Sequence, residues 1–415
     1  MTKYFTKCKG IGGEIKRRYS DFIVEEIQEN GRICEVKYFT QENAPHEKIL
    51  LPENMDNKEY LQFDLEKINQ DMNFAIRIIA RKLQISPKRI GYGGLKDKRG
   101  ITCQRISIWN PNIKLLEDTH WKGLRLSNPD WEDWKLDLGK LKGNRFTVVI
   151  RNINLPKEEI EKRLTEGIKE INENGIANYY GEQRFGGIRN ISHLVGKELI
   201  KEDVKNAVML YLTATDIKED EELRKARLKL AETEDFSLAI KMFPIKNRFE
   251  RSMIHHLCKY PNDFAGAFSK MPKKFRFLFT HAFQGYLFNK IIDKRLELGL
   301  GLLALEGEKS EDRIAMGLLA GYESKFSDNE KIADIEKNLL EEENIKFEDF
   351  KLKVMAECSS KGAYRKLVIF PKDIKLIEIR ADEFYEGKQC CSLSFDLEKS
   401  CYATVVLREL MKDEQ

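Results

Sequence analysis

The sequence predicts an α+β protein in which a mixed, largely antiparallel sheet with helices is interrupted by a mostly helical inserted domain. Strand-like segments, rich in β-branched and aromatic residues, lie toward both ends of the chain. Between about Ser192 and Lys361 the apolar spacing is mostly helical. The 415 residues also exceed one average domain. We therefore expect a discontinuous, mixed α/β domain of residues 1–191 and 362–415 around an inserted domain of residues 192–361.

The first 191 residues alternate strand patterns with two helices. From Asn73 an apolar stripe at helical spacing predicts a helix that ends by Pro87. Residues 156–173 predict a second helix, with a proline in its first position and Gly175 past its end. The predicted strands are residues 21–27, 33–39, 101–109 and 141–151, with a turn at Asn30-Gly31 and a glycine-rich loop over residues 91–100.

The middle of the chain reads as helices and the end reads as strands. An aromatic helix is expected over residues 280–296, with Phe283, Tyr286 and Leu287 in the core because they share one face. The other predicted elements are a charged helix over residues 217–235 and strands over residues 366–371, 375–380, 389–396 and 401–410.

Charge is segregated along the chain although the net charge is only +4. Residues 77–105 contain nine basic residues against one acid, Asp97, and residues 241–276 contain nine against two. Residues 328–349 reverse this, with nine acids against three bases. Such segregation suits a polyanion held on one side of the molecule, while solvated helix faces would explain each run separately. We expect residues 241–276 to contribute to binding such a polyanion.

Cysteine and histidine patterns exclude several classes of protein. The eight cysteines form no C-x-x-C pair and the six histidines no cluster, so neither zinc nor a disulfide framework is indicated. Residues 91–100 lack the G-x-x-x-x-G-K-[ST] order of a nucleotide-binding loop. No apolar run reaches the length of a membrane span or a signal peptide. We expect a cytoplasmic protein with reduced thiols, and a monomer.

A few short segments carry most of the functional information. They are GLKDKRGITCQRISI (94–108), ANYYGEQRFGG (177–187), HAFQGYLFNKII (281–292) and YATVVLREL (402–410), supported by DFIVEE (21–26) after Lys16 and by LKGNRF (141–146). Together they resemble the TruD family of tRNA pseudouridine synthases in its archaeal type. The family signature is G-x-K-D-[KR]-x-x-x-T-x-Q, followed downstream by N-Y-[FY]-G-x-Q-R-F-G. The matches occur in family order and span nearly the whole chain.

The resemblance implies an enzyme that isomerises uridine, at position 13 near the D-stem, in tRNA. It implies that Asp97 is the catalytic carboxylate and that no metal or nucleotide cofactor takes part. Lys96, Lys98 and Arg99 surround Asp97 in sequence, where cations favour an ionised carboxylate and meet RNA phosphates.

The resemblance also implies a set of residues that bind the substrate or support the loop. Asn178 is expected beside the catalytic loop or the uracil edge, and Tyr180 as a stacking ring where many members have phenylalanine. Thr102 and Gln104 are expected to orient the loop by hydrogen bonds, and Arg184 to pair with a carboxylate or phosphate. The full predicted set is Lys16, Lys96, Thr102, Gln104, Asn178, Tyr180 and Arg184, with Tyr179 assigned to the core.

Two other functions remain open at this point. One is an RNA-binding protein on the same fold that has lost catalysis, against which the intact Asp97 argues. The other is a metal-dependent nuclease or glycosidase, which needs further carboxylates converging on Asp97, and no motif supplies them.

Overall fold

The computed structural model describes residues 3–40, 50–54, 56–116 and 120–412. Its strands, in chain order, are β1 Glu14–Ile15, β2 Phe22–Ile27, β3 Tyr60–Ile68, β4 Ile90–Tyr92, β5 Ile101–Trp109, β6 His120–Trp121, β7 Leu124–Glu132, β8 Gly143–Ile153, β9 Ile176–Ala177, β10 Ser310–Glu311, β11 Ile314–Leu319, β12 Ala363–Lys366, β13 Val368–Ile369, β14 Lys372–Ala381 and β15 Gln389–Glu398. Its α-helices are α1 Met72–Lys82, α2 Lys157–Asn174, α3 Ser192–Ile200, α4 Val204–Thr213, α5 Glu221–Thr233, α6 Phe236–Met242, α7 Arg248–Lys259, α8 Phe264–Phe268, α9 Lys273–Glu297, α10 Glu330–Glu342 and α11 Ala403–Met411.

The chain divides into two compact units. One comprises Tyr4–Ile176 and Phe370–Gln415 and is called the sheet unit below. The other comprises Ala177–Ile369, with the N-terminal residues up to Lys3, and is called the helical unit. The units divide at Ile176 and Ile369, whereas the sequence placed its domain boundaries at residues 191 and 361. As a result, the segment 177–187 belongs to the helical unit.

The sheet unit is built on one mixed sheet, to which ten strands contribute among the described residues. The main strand order is β14-β15-β8-β2-β5-β3-β7-β6, with β1 paired to β8 and β4 paired to β5. The β2–β5 pair is parallel and the other strand pairs are antiparallel. The predicted fold class, α+β with a largely antiparallel sheet, is confirmed.

Strand β3 lies inside the sheet although the sequence analysis did not predict it. Its sequence, YLQFDLEKI, places three charged side chains within a nine-residue strand, which hides the usual strand pattern. Those charges are buried but satisfied: the Asp64 carboxylate pairs with Arg105, and the Glu66 carboxylate accepts backbone N–H groups. The third charge, on Lys67, lies against the Asp97 loop. Tertiary pairing therefore decides this strand, and composition does not reveal it.

Two predicted strands are wrong. Residues 33–39 form no strand, because their backbone N–H groups donate to carboxylates: Val36 to Glu25, and residues 37–39 to Glu66. Residues 403–411 form helix α11 instead of a strand, despite the β-branched Thr404-Val405-Val406 run. The helix is held in place by Glu409, whose carboxylate accepts the backbone N–H groups of Phe5 and Thr6.

The helical unit packs around the long helix α9. Phe283 and Leu287 are buried in its core, as predicted, and Tyr286 packs against them. Within the basic stretch 241–276, two arginines serve the fold: Arg251 donates to the carbonyls of Ile240 and Phe243, and Arg276 pairs with Glu357. No helix within the described ranges is long and apolar enough to span a bilayer.

Candidate active site

Asp97 lies on the loop of residues 93–100, here called the Asp97 loop, which connects β4 to β5. The glycine at its end is required by a close approach of the backbone. A Cβ atom added at Gly100 would lie 2.5 Å from the carbonyl oxygen of Phe22, a distance that real Cβ atoms do not reach. The Gly100 carbonyl also accepts the backbone N–H of Asn69. These two backbone contacts fix the position of the end of the loop and of the start of strand β5.

The carboxylate of Asp97 is half-buried and has a lysine partner. Its side chain is 24% exposed, and its Oδ1 lies 3.1 Å from Nζ of Lys16. Lys16 has a left-handed backbone conformation, with φ of 63°, and its ammonium lies 3.9 Å from the centre of the Phe22 ring. The two side chains form a direct ion pair, which restrains the orientation of the carboxylate.

A layer of buried polar side chains lies beneath the Asp97 loop and is called the polar layer. It consists of Glu26, Lys67 and Gln104 from the sheet and of Lys96 from the loop itself. Lys67 donates from Nζ to the Asp97 carbonyl at 2.8 Å and to the Gln70 carbonyl at 3.0 Å. Gln104 donates from Nε2 to the Gly94 carbonyl at 2.9 Å. Side chains from β3 and β5 thereby replace the missing strand partners of the loop backbone.

Lys96 belongs to this support. Its side chain is 3% exposed, and its Nζ lies 2.6 Å from Oε2 of Glu26, which is equally buried. Glu26 also accepts the backbone N–H of Arg105 through its other oxygen. The sequence placed Lys96 at the RNA, and that contact stays a prediction; in this structure its charge is neutralised inside the protein.

The buried environment of Lys67 lowers the pKa of its ammonium group. The side chain has no exposed surface. Burial lowers its pKa from 10.5 to about 8, and repulsion from Lys96 adds to that effect, while the charges of Asp97 and Asp71 oppose it. The sequence pattern did not single out Lys67 or Glu26. For Glu26 a signal was available, because it shares the buried face of a predicted strand with Phe22 and Val24. Lys67 lies on strand β3, which the pattern does not predict.

Thr102 follows the loop on β5, directly opposite Lys67 in the β3–β5 pairing. Its hydroxyl is buried and, within the residues that the structure describes, has no hydrogen-bond partner. The side-chain amide oxygen of Gln104, Oε1, is also buried and has no hydrogen-bond partner among the described residues. Of the two residues expected to orient the loop, only Gln104 therefore makes a described hydrogen bond to it.

Asn178 lies in the helical unit and uses its amide to hold strand β12. Its Nδ2 donates to the Lys366 carbonyl at 2.8 Å, and its Oδ1 accepts from Nη2 of Arg365 at 2.5 Å. Its backbone N–H donates to the Leu367 carbonyl at 2.8 Å. All three hydrogen bonds tie the segment 177–187 to the chain just before residue 369.

The two tyrosines that follow are both buried. The Tyr179 hydroxyl donates to Oδ1 of Asp293 at 2.6 Å, in agreement with its assignment to the core. Tyr180 is 7% exposed, and the Arg365 guanidinium lies 4.3 Å from the centre of its ring. Phe288 meets the same ring edge-on at 5.6 Å. A base stacked on Tyr180 would therefore have to share a ring that already has a cation partner.

Arg184 is placed 5.1 Å from the same tyrosine ring. Its buried Nε has no hydrogen-bond partner among the described residues. The neighbouring His281 has its pKa lowered to about 4, first by burial and then by the charge of Arg184. Arg184 is thus a half-buried cation with no carboxylate within salt-bridge distance in the part of the chain described, which suits an anion.

Comparison with known proteins identifies the family. The family model for tRNA pseudouridine synthase D (TruD) matches residues 1–314 and 306–410. The chain belongs to the TruD family. A "probable tRNA pseudouridine synthase D" of Methanococcoides burtonii is 34% identical over 99% of this chain and 95% of its own length. A protein of the same name from Methanopyrus kandleri is 35% identical over 85% of each chain.

A solved structure agrees with the family assignment. The crystal structure of the "putative tRNA pseudouridine synthase D (TruD)" of Methanosarcina mazei superposes with a TM-score of 0.77 at 31% identity, covering 100% of this chain and 97% of the other. Pseudouridine synthases are isomerases, so the predicted enzyme class is confirmed along with the family resemblance. Within the described ranges, no group of three or more His, Cys, Asp or Glu side chains is arranged as metal ligands.

Proposed function

We propose that this TruD protein isomerises one uridine of tRNA, at position 13, with Asp97 as its only catalytic carboxylate and without a metal or nucleotide cofactor. One observation carries the proposal: Asp97 presents a half-buried carboxylate, paired with Lys16, on a loop whose carbonyl groups are held by Lys67 and Gln104. Such support from below keeps a reactive group in place before the substrate arrives.

The reaction asks only for a carboxylate because it is an isomerisation. The C1′–N1 glycosidic bond breaks, the uracil turns, and a C1′–C5 bond forms. The proton on C5 is lost and N1 gains a proton, so no atom or electron is supplied from outside. A carboxylate at the ribosyl centre can stabilise or trap the positive charge that develops when the first bond breaks.

The target base must leave the RNA stack before it reaches the carboxylate. We retain the predicted substrate-binding set for this step: Lys16, Lys96, Thr102, Gln104, Asn178, Tyr180 and Arg184. Lys16 has the most direct support, since it already touches the carboxylate. Because tRNA is the proposed substrate, we also propose that the protein works in the cytoplasm. We further propose that it is a monomer.

One experiment separates this function from its alternatives. Unmodified tRNA transcript is incubated with the protein in excess EDTA, and pseudouridine is then mapped chemically along the RNA. We expect a single modified site at position 13 despite the chelator. Binding without product would favour an RNA-binding protein that lacks catalysis, and strand scission that EDTA prevents would favour a metal-dependent nuclease. Either of those results would overturn the proposal.

A further inference from the structure

The sheet unit contains an open groove of roughly 790 Å³ that no step of the proposed reaction uses. It is lined by Arg17, Arg18, Tyr19, Ser20, Phe39, Ile68, Asn69, Arg99 and Ile101. All of these residues belong to the sheet unit. The groove is called the arginine groove below.

The walls of the arginine groove come from the chain segments that build the Asp97 site. Three of its wall residues are each within two positions, along the chain, of Asp97 or of a residue that contacts Asp97. Arg17 follows Lys16, whose ammonium pairs with Asp97, and Arg99 follows Asp97 by two positions. Ile68 follows Lys67, which holds the Asp97 carbonyl. A polymer with one unit at Asp97 would therefore continue into this groove.

The charge of the groove is positive, and its arginines are accessible. Arg17, Arg18 and Arg99 are all exposed, and the lining contains no acidic residue. Arg18 pairs with Glu383 at 3.3 Å on one side. Arg17 and Arg99 have no carboxylate within salt-bridge distance in the described ranges. Uncompensated arginines along a groove are the usual means of meeting a phosphodiester chain.

Two aromatic rings of the groove are held in place by polar contacts. Tyr19 is 41% exposed, and its hydroxyl accepts a hydrogen bond from Nδ2 of Asn69 at 2.8 Å. Phe39 ends the segment whose backbone N–H groups are captured by the buried Glu66 carboxylate; its own N–H lies 2.7 Å from Oε1. Phe39 is half-buried, whereas the exposed ring of Tyr19, beside arginines, can serve as a stacking platform for an unpaired base.

We infer that the arginine groove binds the single-stranded nucleotides that flank the target uridine, with their phosphates on Arg17, Arg18 and Arg99 and an unstacked base on Tyr19 or Phe39. This inference rests on the proposed function, because it needs an RNA strand at Asp97. The groove would offset the free-energy cost of unstacking the target base. The strand on either side of the flipped nucleotide would gain phosphate contacts and a stacking contact.

The test measures RNA binding separately from catalysis. In an Asp97→Asn background, the affinity for unmodified tRNA transcript and its dependence on salt are measured for the Arg17→Ala/Arg99→Ala double variant. We expect affinity to fall about 10- to 100-fold at moderate salt, and the slope of log affinity against log salt to become shallower by about 1.4, since about 0.7 is expected per single-strand phosphate contact.

The matched control removes two exposed cations of the same unit that lie on helix α2, which contributes nothing to the groove lining. The Lys157→Ala/Lys162→Ala variant should bind within about twofold of its parent and keep its salt slope, because it loses only long-range attraction. If both double variants weaken binding equally, the groove is part of a general positive field and the inference is wrong.

Stacking is tested at Tyr19. Tyr19→Ala should lose about tenfold in affinity, whereas Tyr19→Phe, which keeps the ring but loses the contact to Asn69, should stay close to the parent. Equal affinity for all three proteins would contradict the stacking part. These outcomes do not depend on product formation: tRNA binding that needs the groove, in a protein that makes no pseudouridine, would leave this inference standing while the proposed function failed.

Discussion

Two segments with equally strong sequence signatures serve the molecule in opposite ways. In the Asp97 loop, residues 93–100, the backbone is held by side chains from elsewhere, and the loop's own Asp97, Lys98 and Arg99 reach solvent. In the segment 177–187, the side chain of Asn178 itself holds a neighbouring strand, and Tyr180 is buried. The first segment is supported and the second gives support.

A sequence motif therefore indicates that a segment matters, but it does not show whether the segment serves stability or chemistry. A polar side chain that the fold already uses is costly to remove for stability, whereas a side chain that others position is costly to remove for chemistry. Measuring activity and stability for the same substitution separates the two roles, because the ratio of the two effects differs between them.

The largest effect on stability is expected for Asn178→Ala. The substitution removes two side-chain hydrogen bonds and deprives the Arg365 guanidinium of a buried acceptor, so we expect the free energy of unfolding to fall by about 3 kcal/mol. Chemical denaturation measures it. Asn262→Ala, at an exposed position of the same unit, should change stability by less than about 0.5 kcal/mol. A fully stable Asn178→Ala protein that lacks activity would break the comparison.

The second prediction concerns Lys67 and pH. The protonated ammonium, with a pKa of about 8, donates to the Asp97 carbonyl, so its deprotonation should loosen the loop. We expect the single-turnover rate to fall about tenfold between pH 7 and pH 9, in step with the protonated fraction. In Lys67→Arg, whose guanidinium stays charged, this decline should be absent even if the absolute rate is lower. The same decline in both proteins would exclude Lys67 as its cause.

Stability should respond to Lys67 with the opposite sign. The folded protein releases this proton near pH 8, whereas the unfolded chain keeps it up to the ordinary pKa of 10.5. Between these values the unfolded state binds more protons, so the Lys67 contribution to the free energy of unfolding rises with pH. We expect the difference between the wild type and Lys67→Arg to show this rise from pH 8 to pH 10, while catalysis declines. A difference that falls over this range would contradict the assignment.

The smallest effect is expected for Thr102→Val. The hydroxyl is buried without a hydrogen-bond partner in the described part of the chain, so replacing it by a methyl group of similar size removes an unsatisfied polar group. We expect stability to stay equal or to rise by up to about 1 kcal/mol, with a rate loss of only about threefold, the smallest in the substrate-binding set. A rate loss beyond tenfold at unchanged stability would show that Thr102 acts on the loop or the RNA, as the sequence resemblance predicted.

Local patterns revealed much of the fold. Strand β5 spans the residues predicted for it, and helix α2 lies within one residue of the prediction at each end. These elements have regular apolar spacing and clear end signals, such as Gly175 after α2, which has a positive φ of 69°. Strand β3 and helix α11 were not predicted, because a buried charge pair and a distant carboxylate contact determine them.

The candidate site was only partly visible in the sequence. Asp97 and Lys16 were found through the family motif, and they form an ion pair. Glu26 and Lys67 were missed because they lie on strands far from the loop in sequence, and only the strand pairing β2–β5–β3 brings them beneath it. The register between strands cannot be read from a single sequence. Polar side chains that support a loop from neighbouring strands are therefore the part of the site that the sequence does not predict.

We propose that the Asp97 carboxylate is the catalytic group and that it contributes little to the stability of the fold. The most direct test is the single-turnover rate of pseudouridine formation by Asp97→Asn, measured beside its free energy of unfolding and beside Asp133→Asn, an exposed control in the same unit. We predict a loss of at least about a thousandfold in rate, a change in stability below about 1 kcal/mol, and wild-type behaviour for the control. Measurable turnover near the wild-type rate in Asp97→Asn would contradict the account.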